Sequence, residues 1–147
     1  MNPIDQAVAS FENDFLCSQS ILSAFAPALG LDRLTALRIA APFGSGMGRM
    51  GEVCGAVSGA FMVIGLKYGH TTAEDTEAKE RTYQLVQQFA ALFRSRHGTI
   101  LCRELTGYTL SNPGEMQAAR ESGVFKNQCP KYIRSAGEIL EELLKEI

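Results

Sequence analysis

Four cysteines, Cys17, Cys54, Cys102 and Cys129, are the residues of this chain with the most distinctive chemistry. No two of them form a CxxC pair, so the sequence signs of a zinc ribbon or a thioredoxin site are missing, and there is no CxxCH for a covalent haem. Three have similar neighbourhoods: Cys54 follows a glycine-rich stretch, Cys102 follows "HGTIL", and Cys129 directly precedes Pro130. Each of these places reads as a helix start, proline being favoured in the first turn. Helix N-termini carry unpaired N–H groups and partial positive charge, which stabilise a thiolate. If such ends converge, the thiols share a pocket suited to negative charge. A thiolate is the nucleophile of disulfide exchange and also the form that binds iron or zinc. On this argument Cys54 first, and Cys129 next, are expected to be unusually acidic. The competing reading is that free cysteine packs as a small hydrophobe, in which case the four have no common role.

The stretch before Cys54, "FGSGMGRMGEV", places Gly44, Gly46, Gly48 and Gly51 ahead of a helix, as phosphate-cradling loops do. It lacks the lysine followed by serine or threonine of a P-loop, and no apolar strand precedes it as in a dinucleotide-binding unit. Gly55 and Gly59 lie four residues apart with Ala56 and Ala60 beside them, a small face that lets another helix approach closely. Close packing around Cys54 is therefore preferred to phosphate binding.

Other polar residues carry weaker signals. His70 and His97 lie at helix ends beside glycines and read as solvated or capping residues. Arg49 and Arg103 flank the cysteine segments and could lower a thiol pKa or bind an anion. Met47, Met50 and Met62 read as core filler, and the acidic tail "EILEELLKEI" as a solvated amphipathic face able to meet a partner helix.

These residues have to be positioned by helices. At 147 residues, 46% hydrophobic and 20% charged, the chain reads as one globular domain spanning residues 1–147. A net charge of −2 gives no reason to expect nucleic acid as a partner. The apolar run "GAFMVIGL" is too short for membrane insertion, and the N-terminus has no basic segment followed by an apolar one. The expected location is cytoplasmic, where thiols are more often catalytic or metal-binding than structural disulfides.

Apolar residues recur at three- and four-residue steps throughout, and no alternating strand pattern occurs. The spacing predicts one long helix over 4–29, then a helix capped by Asp32 and closed by Pro42. A helix over 52–68 ends at Gly69, and another, opened by a Thr72/Asp75 capping box, ends at Gly98. A short helix runs from Thr99 to Gly107, and residues 108–127 are loop-like, with "SNPGE" as a turn and helix start. The last helix has Tyr132, Ile133, Ala136, Ile139, Leu140, Leu143 and Leu144 on one stripe. The fold class is all-α, a single compact helical bundle of about five to six helices.

"CGAVSG", from Cys54 to Gly59, resembles the CGAxxG motif of the family named C_GCAxxG_C_C, whose members are called redox-active for their cysteines. That family is helical and of similar length, with one cysteine before the motif and two after it. Cys17, Cys54, Cys102 and Cys129 fall in that order, and "GSGMGRMGEVCGAVSGAFMVIGLKYG", "HGTILCRELTG" and "CPKYIRSAGEILEELL" fit the surroundings. The resemblance implies a joint site in which all four cysteines act as redox thiols or as metal ligands, with Gly55 and Gly59 packed closely at the motif. It leaves open an iron–sulfur cluster, another metal and a dithiol/disulfide, and whether the chain is an enzyme. Members tend to lie near transporter genes, which implies an accessory role to a transporter beside an electron or thiol partner. A homo-oligomer is also allowed. The alternative from the residues alone is a small-molecule or anion-binding helical module, using residues 44–51 and Arg49, with structural buried cysteines.

Overall fold

Short polar side chains start four of the helices. Asn2 accepts from the Asp5 amide at 2.9 Å and, with Pro3, opens α1 (Pro3–Glu12). Asp32 accepts from Thr35 at 3.0 Å and opens α3 (Arg33–Ala40), as expected. Each bond satisfies one of the amides that a helix start leaves without a partner. The computed structural model describes residues 1–145, so Glu146 and Ile147 of the expected acidic helix end lie outside the described residues.

Between α1 and α3 the single long helix expected over 4–29 is broken. Asp14 takes a left-handed φ of 75°, the chain turns, and α2 begins afresh as Cys17–Phe25. Aspartate adopts this conformation more readily than most residues, and the Gln19 side chain accepts from the Leu16 amide at 3.1 Å to cap the new start. A 3₁₀ turn, Pro27–Leu29, ends at Gly30. After α3 come a second 3₁₀ turn (Ala41–Phe43) and the glycine loop, then α4 (Gly55–Tyr68) and α5 (Thr76–His97). The cap of α5 is Asp75, which accepts from Ala78 at 3.1 Å; the expected pairing with Thr72 as a capping box is not formed. Then follow α6 (Cys102–Thr106), α7 (Pro113–Ser122), the short turn Val124–Asn127 and α8 (Cys129–Leu144).

The described residues are thus all-α, with eight helices rather than five to six, because the first segment divides and "SNPGE" opens a helix of its own. There Asn112 accepts from the amides of Gly114 and Glu115 at 2.9 and 3.1 Å. Among the described residues no helix is long and apolar enough to cross a membrane.

The core lies where α2, α4, α5 and α8 meet. The motif glycines bring α2 and α4 together. A Cβ on Gly55 would sit 2.9 Å from the Ser18 amide nitrogen, and one on Gly59 would sit 3.0 Å from the Ser18 carbonyl oxygen. Only a hydrogen at these positions permits that approach. On α5, Phe89 and Phe93 are fully buried, and Phe89 meets Phe61 of α4 edge-on with centroids 5.8 Å apart. The apolar stripe of α8 is buried from Tyr132 to Leu143 as expected, with Leu144 at its edge.

Candidate functional site

All four cysteines sit at helix N-termini: Cys17, Cys102 and Cys129 are the first residues of α2, α6 and α8, and Cys54 is the N-cap of α4. The sequence pointed to three of these ends; the fourth, at Cys17, exists because the chain breaks at Asp14. The dipeptide Asn13-Asp14 was the available signal for that break. The N-terminal ends converge. Cys17, Cys54, Cys102 and Cys129 line one cavity of about 670 Å³, which reaches the surface among the exposed residues Glu12, Asp14, Arg49, Arg120 and Lys126.

The glycine loop fixes the relative placement of Cys54 and Cys102. Ser45, Gly46, Met47 and Gly48 all have φ between 56° and 68°, a run of left-handed residues closed by a 2.8 Å bond from the Gly48 amide to the Gly44 carbonyl. The run presses the backbone of Gly46 against Cys102, where an added Cβ would lie 2.6 Å from the Cys102 Cβ. Arg49 and Gly51 continue in left-handed conformation at 72° and 73°. A single antiparallel bridge then joins Val53 to Leu101. Its flanks bind the two cysteine backbones directly: the Cys54 amide donates to Ile100 O at 2.8 Å and the Cys102 amide to Glu52 O at 2.7 Å. The helix expected over 52–68 consequently starts three residues late, because the amides of Glu52 and Cys54 bond into this loop and bridge.

The thiols differ in their surroundings. Burial pushes the Cys54 thiol up to about 12, although the Ala56 and Val57 amides at the start of α4 pull the other way. The expectation of an acidic Cys54 is therefore corrected: the cost of removing a charge from water outweighs the helix end. Burial likewise raises Cys102 to about 11. Cys17 and Cys129 form a pair. Interaction between their side chains lowers the pKa of Cys129 and, with burial, raises that of Cys17 well above an ordinary thiol. Cys129 is thus the thiol of the cavity disposed to ionise. No two cysteines are joined in a disulfide.

The remaining wall is mainly apolar, formed by Phe11 and Phe15 with Leu105, Leu110, Met116 and Phe125. Tyr132, one turn beyond Cys129, also lines it and donates to Leu105 O at 3.0 Å. His97, expected to be solvated or capping, is instead half-buried: it stacks edge-on to Tyr132 with centroids 4.9 Å apart and lies 2.9 Å from Ser135 Oγ. His70 is exposed. Arg103 pairs with Glu52 at 3.5 Å and donates to Gly51 O at 3.2 Å, bracing the loop, while Arg49 faces the cavity. Met62 packs on the core, but Met50 is 61% exposed and is not core filler, because the left-handed loop turns it outward. Sequence reasoning missed Tyr132, Arg120 and Phe125 as cavity residues; a stripe position and residues in an apparent loop gave no sign of a shared cavity.

Among the described residues no group of three or more Cys, His, Asp or Glu side chains is arranged to hold a metal ion, so the four thiols do not form a ready ligand set. No curated protein and no solved structure matches the chain. The family described as "Putative redox-active protein (C_GCAxxG_C_C)" matches residues 15–143, which takes in all four cysteines and the closely packed glycines of the motif. The chain belongs to that C_GCAxxG_C_C family.

Proposed function

We propose that the cavity is a thiol–disulfide exchange site in which Cys129 is the attacking thiolate and Cys17 the resolving thiol. The observation that carries this reading is that Cys17 and Cys129, each the first residue of a helix, line one cavity that reaches solvent, where their interaction lowers the Cys129 thiol and raises that of Cys17. A thiol that interacts with its neighbour's sulfur stabilises the neighbour's anion, and two thiols of one cavity are the pair disposed to complete the second step. The Cys129 thiolate attacks one sulfur of a partner disulfide. That S–S bond breaks and the far sulfur leaves as a thiolate. Cys17 gives its proton to water, and its sulfur attacks Cys129 and displaces the second partner thiolate. A Cys17–Cys129 disulfide remains. Two electrons have passed from the protein dithiol to the partner disulfide, and the reverse sequence restores the dithiol.

Cys54 and Cys102, raised by burial, stay protonated through this cycle and keep the cavity floor neutral. Tyr132 closes the side of the cavity next to Cys129. The family's redox description supports the reading.

The test is equilibration of the reduced protein in dithiothreitol buffers of graded oxidation, followed by acid quench, alkylation and peptide mapping. One intramolecular disulfide joining Cys17 to Cys129 should form and reverse. A protein that keeps four free thiols throughout, or joins Cys54 to Cys102 first, overturns the assignment.

A further inference from the structure

Beside the cysteine cavity lies a second one of about 400 Å³, lined by Gly48, Arg49, Leu110, Ser111, Pro113, Met116 and Arg120. Arg49, Leu110, Met116 and Arg120 line both, so the two hollows are continuous. The second has no acidic residue in its wall, whereas Glu12 and Asp14 stand on the wall of the first. The ion pairs of the described residues are Arg96–Glu138, Arg103–Glu52 and Arg134–Asp5; Arg49 and Arg120 take part in none. Two unpaired guanidinium groups from separate elements, the left-handed loop and α7, thus flank one compartment that opens onto the thiols.

We infer that the partner disulfide is a small molecule bearing a carboxylate or similar anionic group, which Arg49 and Arg120 hold while the disulfide end faces Cys129. The inference rests on the exchange reading for the reaction but on separate residues for the binding. Guanidinium is the side chain best matched to carboxylate geometry, by two parallel N–H donors. The combined space suits a small molecule, since ligand cavities span roughly 300–1,000 Å³. The apolar walls accept the carbon chain between the two ends. Glu12 and Asp14 line only the cysteine cavity and disfavour an anion beside them, whereas the arginine compartment holds no carboxylate.

The test compares three disulfides as substrates of the reduced protein: 3,3′-dithiodipropionate, hydroxyethyl disulfide and cystamine, which are anionic, neutral and cationic. Each rate is divided by that of free mercaptoethanol with the same disulfide, which removes intrinsic reactivity. The anionic compound should show an advantage of about tenfold over the neutral one, falling as salt is raised. Replacing both arginines, Arg49→Met with Arg120→Met, should bring the normalised anionic rate down to the normalised neutral rate of the same variant. A second readout is calorimetric binding of suberate, the same chain without the S–S bond. Arginine-dependent suberate binding with no disulfide reacting would sink the exchange reading and keep the anion subsite. Exchange with equal normalised rates for all three disulfides and no suberate binding would overturn the subsite and keep the exchange reading.

Discussion

Cys17, on the first turn of α2, and Cys129, on the first turn of α8, line one cavity and shift one another's thiols in opposite directions. The two residues come from opposite ends of the chain, and two helix starts converge on that cavity. The asymmetry of the contact, one thiol raised and the other lowered, is the relation expected of a resolving thiol and a nucleophile.

Alkylation of the reduced protein should reveal this asymmetry. Because the pKa of Cys129 is lowered, it is deprotonated and reactive at pH values below those at which an ordinary thiol reacts. Cys17→Ala removes the interaction that lowers it, so the Cys129 titration should move upward. Iodoacetamide labelling against pH, read by peptide mass spectrometry, measures both. Equal pH profiles for Cys129 in the parent and Cys17→Ala proteins would dissolve the pairing argument.

Alkaline stability should report Cys54. Its folded pKa of about 12 lies above the ordinary thiol value of 9.0, so the folded state binds more protons in that interval. Stability from this group is full below pH 9.0 and is lost as pH rises toward 12. The loss approaches a few kcal/mol, at about 1.4 kcal/mol per pH unit. Urea melts at pH 8 to 11 should show a smaller decline for Cys54→Ala than for the parent. Parallel declines would mean that Cys54 ionises in the fold as freely as in the unfolded chain.

The glycines of α4 should behave in opposite ways. Gly55→Ala and Gly59→Ala both force a Cβ against the α2 backbone, at 2.9 and 3.0 Å respectively. Each should cost about 1–3 kcal/mol by overpacking, and Gly59→Leu at least as much. Gly65 on the same helix has nothing within 4 Å of an added Cβ. Gly65→Ala should therefore stabilise by about 0.5–1 kcal/mol, the ordinary helix preference. Thermal melts of the variants decide the matter: stabilisation by Gly55→Ala would refute the close approach of α2 and α4.

The left-handed loop should be strained at its non-glycine positions. Ser45, at φ 56°, sits where glycine costs least, so Ser45→Gly should raise stability by about 0.5–1 kcal/mol. Gly46→Ala should instead destabilise, since its Cβ would meet Cys102 at 2.6 Å. Chemical denaturation of the two variants separates these effects. Loss of stability in Ser45→Gly would mean that the serine side chain offsets the backbone cost.

Local interactions made much of this molecule legible in its sequence. The all-α class follows from apolar spacing, and the Asp32 cap and the Gly98 and Gly107 helix ends are set by bonds within a few residues. The closely packed faces of Gly55 and Gly59 follow from their four-residue spacing. The placement of Cys54, Cys102 and Cys129 at helix starts was equally local. Only the tertiary structure decided the rest. The break at Asp14, which makes Cys17 a helix start, has only the weak local sign of Asn13-Asp14 within an apolar stripe that runs on through it, and in the fold α1 packs on α8 while α2 packs on α4. The bridge between Val53 and Leu101 takes residues 52–54 out of the helix that their composition favours. The acidity of Cys54 was misjudged for the same physical reason: a helix end is a local, readable contribution, whereas desolvation depends on everything packed around the sulfur from distant parts of the chain.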